Sequence, residues 1–290
     1  MTMNFIRQAL VACAVLAFGN AHAAPAFKAD ITGQGQGQGP AVILIPGLAS
    51  SGDVWQGTVR HLCGPRQCHV LTLAGFAGQP PIDGPLLPQV ERQLADYIDA
   101  NGLGKPVIIG HSLGGFIGLK FAIGHPDKLS RLVVVDALPA LGATQVPDVT
   151  PDQLRRMADG TRAAVLGQDE AAAEQSRRAT IATMVAKPED AERIAEWGRR
   201  SHRATVAGAM YELMSTDLRA DVARVRTPTL VLGTWVAYKA FAPRAAIEQT
   251  YRSQYAKLPG VRIEMADTAR HFIMADDPAW LYDRLDQFIQ

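Results

Sequence analysis

The sequence predicts an α/β fold with a mostly parallel central sheet, helices on both of its faces and an inserted helical cap. Short, continuous apolar runs such as AVILI at residues 41–45 are typical of strands that helices cover on both sides. Along the chain these runs alternate with segments of helical periodicity, which is the order expected of a parallel sheet. Residues 138–226 contain no such run and are rich in arginine, alanine and glutamate, so we predict that they form the cap.

The elements of the first half follow from this pattern in order. A first strand is predicted at residues 27–32. The tract GQGQGQGP at 33–40 is predicted to be a turn without a phosphate-binding role, because no helix follows it directly. Further strands are predicted at residues 41–45, 69–73, 107–109 and 131–135, and helices at 54–62, 89–101 and 115–124.

The second half supplies the cap and completes the sheet. The core should therefore comprise residues 24–137 and 227–290, around a cap at 138–226 that can exclude water from a site and gate access to it. Helices are predicted in the cap at residues 151–158, 170–185 and 189–211, and after it strands at 228–233 and 261–265 and helices at 243–258 and 278–289.

Residues 1–23 have the features of a cleavable secretory signal. They contain one basic residue, Arg7, an apolar stretch at 9–18 and the small-residue sequence AHA at their end. The apolar stretch is too short to span a bilayer. Two alternatives stay open: a lipobox ending at Cys13, which would give a lipidated N-terminus, and an ordinary N-terminal helix. The signal predicts a periplasmic or secreted protein.

Composition and charge narrow the choice of partner. The formal net charge is +1, and loss of the signal would remove one arginine and no acidic residue. The mature chain then has no excess of basic residues for nucleic acid or an anionic membrane. Its 48% hydrophobic residues are enough for a large core. We expect a small, neutral or apolar molecule as partner, no nucleic acid, no stable membrane insertion after signal cleavage, and no cofactor.

Two cysteines, Cys63 and Cys68, remain after signal cleavage. In an oxidising compartment an even pair favours a disulfide, and closing so short a loop contributes roughly 2 kcal/mol to stability. Two free thiols are the alternative. Neither cysteine belongs to a C-x-x-C motif, and no cluster of histidine and cysteine has zinc-ligand spacing, so no metal site is predicted.

The most informative motif is GHSLGG at residues 110–115. An apolar strand precedes it and an apolar helix follows it, which is the setting of a nucleophile elbow. Glycines two positions before and two after the serine leave no Cβ where strand and helix approach each other. Ser112 is therefore the predicted nucleophile.

Other candidate residues follow predicted strands. In parallel sheets the carboxyl ends of the strands form one rim, where ligands usually bind. The glycine and small residues of the loop at 46–52 expose backbone N–H groups, which an acyl-transfer enzyme needs for its oxyanion. We assign these donors to the amides of Leu48 and Leu113, with a plain strand-to-helix turn as the alternative. Asp136 follows the strand after the elbow, and His271 follows the last strand.

With these motifs, residues 27–290 resemble an α/β-hydrolase. The resemblance is carried by PGLASSGDVW at the oxyanion loop, GHSLGG at the elbow, the cap, and ARHF near the C-terminus. It implies a catalytic triad in the order serine, acid, histidine. Matched residue by residue, Ser112 is the nucleophile and His271 is the base that takes its proton and returns it to the leaving group.

The acid departs from the common pattern of this family. Most relatives place an aspartate in the loop after the strand predicted at 228–233, but that loop reads TWVAYKAF and contains no carboxylate. Asp136 is the best candidate, since some members of the fold carry the acid at that earlier strand end. Asp267, Glu248 and a Ser–His dyad without an acid are the alternatives.

The same loop bears on the substrate. Trp235, Tyr238 and Phe241 put aromatic surface where the acid loop of the family borders the pocket, and Met210 of the cap is a further candidate lining residue. They predict an apolar or aromatic acyl or alcohol group. Ordinary loop and core packing is the alternative for each of them.

The function that the resemblance implies is a serine hydrolase that cleaves carboxylic esters of a small, largely apolar substrate. Two alternatives stay open. One is amide, lactone or C–C bond hydrolysis, or acyl transfer, on the same machinery. The other is a non-catalytic binding protein of this fold, suggested by the missing acid. A nucleophilic aspartate, as in dehalogenases and epoxide hydrolases, is disfavoured because Ser112 occupies the tip of the elbow.

Overall fold

The computed structural model describes residues 23–33, 39–144, 146 and 148–289. The predicted signal at residues 1–23 lies outside this part except for its last residue, and so does most of the glycine-rich tract. Among the described residues, no helix combines the length and the apolar character needed to cross a membrane.

The described strands form one mostly parallel sheet, as the sequence predicts. Its order is β1-β3-β2-β4-β5-β6-β7, in which β1 pairs antiparallel with β3 and the other neighbouring strands pair in parallel. The strands are β1 (Phe27–Thr32), β2 (Val42–Ile45), β3 (Cys68–Leu73), β4 (Val107–His111), β5 (Arg131–Val135), β6 (Thr229–Thr234) and β7 (Arg262–Ala266).

The central strands are apolar throughout because both of their faces are covered. In β2, Ile43 and Ile45 belong to the core on one face of the sheet, and Val42 and Leu44 belong to the core on the other. All four side chains have no exposed surface. Each such residue contributes about 1.5–3 kcal/mol relative to an exposed one. A strand with a polar face could not occupy this position.

Helices cover both faces of the sheet. In α2, the buried residues Leu87, Val90, Leu94 and Ile98 recur every three or four positions and so form one apolar face. The helices are α1 (Gln56–Leu62), α2 (Leu86–Ala100), α3 (Leu113–Gly124), α4 (Pro151–Gly167), α5 (Glu170–Met184), α6 (Pro188–Arg199), α7 (Arg203–Ser215), α8 (Arg244–Gln254), α9 (Ile273–Asp276) and α10 (Pro278–Ile289).

Helices α4 to α7 lie between β5 and β6, where the sequence predicts the cap. Two details differ from the prediction. Helix α4 extends to Gly167, and the helix predicted at residues 189–211 is two helices separated at residues 200–202. Tertiary contacts explain the break: the N–H of Gly78 donates to the carbonyl of Arg200, and the N–H of His202 donates to the carbonyl of Gly75. Backbone groups that form hydrogen bonds with a neighbouring loop cannot form the hydrogen bonds of a continuous helix.

The two cysteines in the part of the chain that the structure describes are joined. The Sγ atoms of Cys63 and Cys68 lie 2.00 Å apart, and their Cα atoms are separated by 5.7 Å. The bond closes the short connection between α1 and β3.

The strand register brings the candidate residues to one rim. Ile45 is the Cα partner of Gly110, His111 is the partner of Val135, and Val135 is the partner of Leu232. The loops that follow β2, β4, β5 and β6 therefore leave the sheet side by side, which is the usual position of a ligand site in such sheets.

Candidate active site

The nucleophile elbow forms where the sequence predicts it, between β4 and α3. Ser112 has φ 52° and ψ −118°, a backbone conformation that residues with a Cβ rarely adopt. It costs about 1–3 kcal/mol and persists only where the surroundings enforce it. Here the Ser112 N–H donates to the carbonyl of Val135 at 2.8 Å, and its own carbonyl accepts from the N–H of Phe116 at 3.0 Å.

The glycines two positions before and two positions after Ser112 are required by close approach. A Cβ on Gly110 would lie 2.2 Å from the carbonyl oxygen of Gly114, and a Cβ on Gly114 would lie 2.2 Å from that of Ile45. Neither position has room for any side chain. The glycines thus allow β4 and α3 to cross closely enough to leave Ser112 at the tip of the turn.

His271 and the buried Asp136 form a hydrogen-bonded pair at the same rim. His271 Nδ1 lies 2.5 Å from Asp136 Oδ2, and the two side chains are 18% and 5% exposed. Because an ionised carboxylate can only accept, Nδ1 carries the proton and donates it in this bond. The other nitrogen, Nε2, is then left as a proton acceptor, which is the form that a general base requires.

The alternative acids are held elsewhere. Asp267 accepts from the indole N–H of Trp235 at 2.9 Å and from Nε of Arg244 at 2.7 Å, and these bonds lower its pKa, with that from Arg244 the stronger cause. Glu248 binds Arg252 and Arg244, and its pKa is lowered by both, chiefly by Arg252. Both carboxylates are thus engaged in surface ion pairs away from His271.

The predicted oxyanion donors flank the elbow. A Cβ on Gly47 would lie 3.2 Å from the Cβ of Ser112, so the loop that carries Leu48 packs against Ser112. Leu113 is the first residue of α3, and its N–H is one of the free donors of a helix N-terminus. Among the described residues, neither the Leu48 nor the Leu113 N–H donates a hydrogen bond. Their assignment to the oxyanion hole stays a prediction.

His111 lies beneath the site and is fully buried. Its Nε2 lies 3.0 Å from the carbonyl oxygen of His271, so the neutral ring donates a hydrogen bond to the backbone of the candidate base. Burial, together with the neighbouring His271, holds the pKa of His111 well below its usual value, against the raising effect of that bond. A neutral ring at this position keeps a second positive charge away from His271.

A cavity of about 700 Å³ lies over this rim. Ser112, His271 and Asp136 line its floor, together with Leu48. Its other walls come from α4 to α7 and from the loop after β6. The cavity-lining residues that these walls contribute include Val206, Met210, Leu213, Tyr238 and Phe241.

Three of the four predicted pocket residues line the cavity, and the fourth does not. Met210, Tyr238 and Phe241 line the cavity, and Phe241 is 89% exposed. Trp235 is not among the lining residues, which corrects the expectation for it. Its indole N–H donates to Asp267, and its ring packs against the core on one face of the sheet, so the residue turns away from the cavity.

Two groups of residues at the site were not predicted from the sequence. Tyr251, on α8, donates its hydroxyl hydrogen to Asp136 Oδ1, and the N–H of Thr234 donates to the same oxygen at 3.0 Å. The available signal was the four-residue spacing of Tyr251, on α8, and Tyr255, which directly follows that helix. On α5, the polar Ser176 and Thr180 of the cavity wall, again four residues apart, are the second group.

The described residues contain no group of three or more histidine, cysteine, aspartate or glutamate side chains that could hold a metal ion. What the site brings together is a strained serine, a histidine whose Nε2 has no hydrogen-bond partner among the described residues, and a carboxylate that orients that histidine. Such an arrangement can deliver a serine oxygen to an electrophilic carbon and carry the proton away.

Known proteins resemble this chain in sequence and in fold. A model of the alpha/beta hydrolase family matches residues 42–284. A pimeloyl-[acyl-carrier protein] methyl ester esterase of Vibrio vulnificus is 32% identical over 117 residues, which are 40% of this chain and 44% of that esterase. The chain thus matches less than half of the length of this relative.

Two further proteins match over longer stretches. A putative carbamate hydrolase of Yersinia enterocolitica is 27% identical over 216 residues, which are 70% of this chain and 72% of that protein. The crystal structure of a hydrolase from Pseudomonas aeruginosa superposes with a TM-score of 0.74 at 20% identity, over 90% of this chain and 93% of that one. At this identity the superposition shows a shared fold.

Proposed function

Because the chain belongs to the alpha/beta hydrolase family, we propose that it is a serine hydrolase that cleaves carboxylic esters of a small, largely apolar substrate. The observation that carries the proposal is the 2.5 Å contact between His271 Nδ1 and Asp136 Oδ2, in the same cavity as Ser112. The similarity to an esterase supports ester cleavage as the reaction.

In the proposed reaction, Ser112 Oγ attacks the ester carbonyl while His271 Nε2 takes the hydroxyl proton. The carbonyl oxygen becomes an oxyanion, to which the N–H groups of Leu48 and Leu113 donate. His271 then gives its proton to the departing alcohol, and an acyl-enzyme on Ser112 remains. Water then attacks this acyl group while His271 takes its proton, and His271 returns that proton to the departing Ser112 Oγ, which releases the acid and restores the serine.

The cavity supports an apolar substrate. Val206, Met210 and Leu213 of α7 and the aromatic rings of Tyr238 and Phe241 offer it a mainly apolar wall. A volume of about 700 Å³ is within the range of sites that take drug-sized molecules. We expect activity to depend on the chain length of the acyl group.

A second candidate is hydrolysis of a carbamate or amide on the same machinery. It is favoured by the carbamate hydrolase relative, which is matched over 72% of its length. The two candidates differ in the leaving group, since His271 would protonate an amine in place of an alcohol.

We also propose that the mature protein is periplasmic or secreted. The signal features of residues 1–23 support this location, and so does the bond between Cys63 and Cys68, since disulfides persist in oxidising compartments. Mass spectrometry of the protein exported from a bacterial host tests it. A mature N-terminus at Ala24 supports signal cleavage. A lipid-modified Cys13 at the N-terminus would show that the protein is a lipoprotein.

The hydrolase proposal is tested with p-nitrophenyl esters of graded acyl length and with matched p-nitroanilides. Wild type should hydrolyse the esters, and Ser112→Ala should lower kcat by about 10⁴-fold or more. Ser253→Ala, which changes an exposed serine of α8, serves as the control and should match wild type.

Covalent labelling separates an enzyme from a binding protein. A fluorophosphonate should label wild type and Ser253→Ala, and Ser112→Ala should remain unlabelled. Faster cleavage of the anilides than of the esters would favour the second candidate. A folded wild type that neither turns over any substrate nor takes the label would refute both.

A further inference from the structure

Asp136 is held by more than its bond to His271, and the additional donor comes from an unexpected element. We propose that Tyr251 of α8 is a positioning residue that locks the Asp136 carboxylate in the orientation needed by His271. This inference rests on the proposed function, because it concerns the acid of the same triad. Tyr251 also lines the cavity, but its hydroxyl binds Asp136, and the role that we propose is exerted through this carboxylate.

The two oxygens of Asp136 have separate partners. Oδ2 accepts from His271 Nδ1 at 2.5 Å. Oδ1 accepts from the N–H of Thr234 at 3.0 Å and from the hydroxyl of Tyr251. With donors on both oxygens, rotation of the carboxylate about its Cβ–Cγ bond would break hydrogen bonds in a buried place, where an unmade bond is costly.

The chemistry of Tyr251 suits it as a permanent donor. Its side chain is buried, and burial together with the charge of Asp136 holds the pKa of the phenol well above its usual value. The hydroxyl therefore keeps its proton over the working range of pH. A neutral O–H group stabilises the carboxylate without adding a second charge that would compete with His271.

The position of the acid explains why such a donor is needed. Asp136 has φ 49°, a left-handed backbone conformation that is strained for a residue with a Cβ. The loop after β6, residues 235–243, contains no carboxylate and cannot substitute for it. Tyr251, on the helix that follows this loop, donates its hydroxyl to the acid that follows β5.

Side chains at the C-terminal end of α8 and directly after it bind the beginning of the loop after β5, and this provides a matched control. Gln254 both donates to and accepts from the backbone of Ala140, each at 3.0 Å. The hydroxyl of Tyr255 donates to the carbonyl of Ala137 at 2.8 Å. Tyr255 is buried like Tyr251, directly follows the last residue of α8 and binds the residue next to Asp136. Of these three side chains, only Tyr251 bonds to the carboxylate.

The kinetic test compares Tyr251→Phe with Tyr255→Phe, each of which removes one buried hydroxyl. Tyr251→Phe should lower kcat for p-nitrophenyl esters by about 10- to 100-fold with KM within about twofold, the range expected when a charged group loses one hydrogen bond. Tyr255→Phe should stay within about threefold of wild type. Thermal unfolding of both variants checks that they are folded and similarly destabilised.

A double-variant cycle identifies the route of the effect. If Tyr251 acts through Asp136, adding Tyr251→Phe to Asp136→Asn should lower kcat by less than about twofold. A purely structural role would instead multiply the two losses. Equal kcat for Tyr251→Phe and Tyr255→Phe, or losses that multiply in the double variant, would overturn the proposal.

A spectroscopic readout keeps the test independent of ester turnover. The His271 Nδ1 proton, assigned by its loss in His271→Gln, should give a low-field proton resonance in wild type. It should be shifted or broadened in Tyr251→Phe and unchanged in Tyr255→Phe. If wild type hydrolyses no ester, the proposed function fails, but this resonance still tests the positioning role of Tyr251. An unchanged resonance in Tyr251→Phe refutes that role.

Discussion

Replacing Asp136 with asparagine tests the least expected member of the candidate triad. The substitution keeps the size of the side chain and leaves one oxygen for the N–H of Thr234 and the hydroxyl of Tyr251. It puts an amide –NH₂ where Oδ2 now accepts from His271 Nδ1 at 2.5 Å. Two donors would then face each other, so the proton of His271 must move to Nε2.

The size of the effect follows from this change of tautomer. With a proton on Nε2, the histidine cannot accept the proton of Ser112, and only the minor tautomer remains competent. A loss of about 10⁴-fold in kcat, as for the aspartate of a serine protease triad, corresponds to about 5.4 kcal/mol of transition-state stabilisation. Folding should survive, because the other two hydrogen bonds of the side chain remain.

The assay is the hydrolysis of p-nitrophenyl esters under saturating substrate, with thermal unfolding to verify the fold. Asp267→Asn and Glu248→Gln are matched controls, since both residues are carboxylates near the end of the chain and both bind Arg244 at the surface. Each should keep kcat within about twofold of wild type. An Asp136→Asn variant that keeps a tenth or more of the wild-type kcat would refute the assignment.

Two further predictions concern the elbow and the residue beneath it. Gly114→Ala should destabilise the protein by about 3 kcal/mol in urea unfolding, because its Cβ would lie 2.2 Å from the Ile45 carbonyl oxygen. Gly160→Ala is the control, because Gly160 lies in α4 and an added Cβ would have no atom within 4 Å. This variant should be neutral or stabilised by about 0.5–1 kcal/mol. Equal losses of stability in the two variants would contradict the reasoning. The pKa of His111 is lower in the folded protein than in the unfolded chain, so below pH 6.5 the unfolded chain binds a proton that the folded protein does not. The contribution of His111 to stability is therefore fully present above pH 6.5. It is lost as pH falls below that value, by up to about 1.4 kcal/mol per pH unit. Urea unfolding at several pH values between 7.5 and 5 should show a shallower fall for His111→Gln than for wild type, and parallel curves would show that His111 is not the source.

The local features of the fold were predictable because they depend on short stretches of chain. The buried strands β2, β4, β5 and β6 are nearly continuous apolar runs, and only strands covered on both faces have that composition. The elbow was predictable for the same reason, since the spacing of its glycines follows from a close crossing within one strand–turn–helix unit. The break at residues 200–202 was not, because it arises from bonds to a loop distant in sequence.

The amino-acid sequence by itself determined the fold class, the candidate nucleophile Ser112 and the candidate base His271, because motif spacing and order along the chain define them. For the acid it offered a ranking among Asp136, Asp267 and Glu248, and no more. Only the tertiary structure decided which carboxylate faces His271, because β5 and the loop after β7 are distant in sequence and meet through the parallel register. The same packing brought Tyr251 to Asp136 and turned Trp235 toward Asp267. Such contacts depend on side-chain direction in three dimensions, which composition and periodicity do not specify.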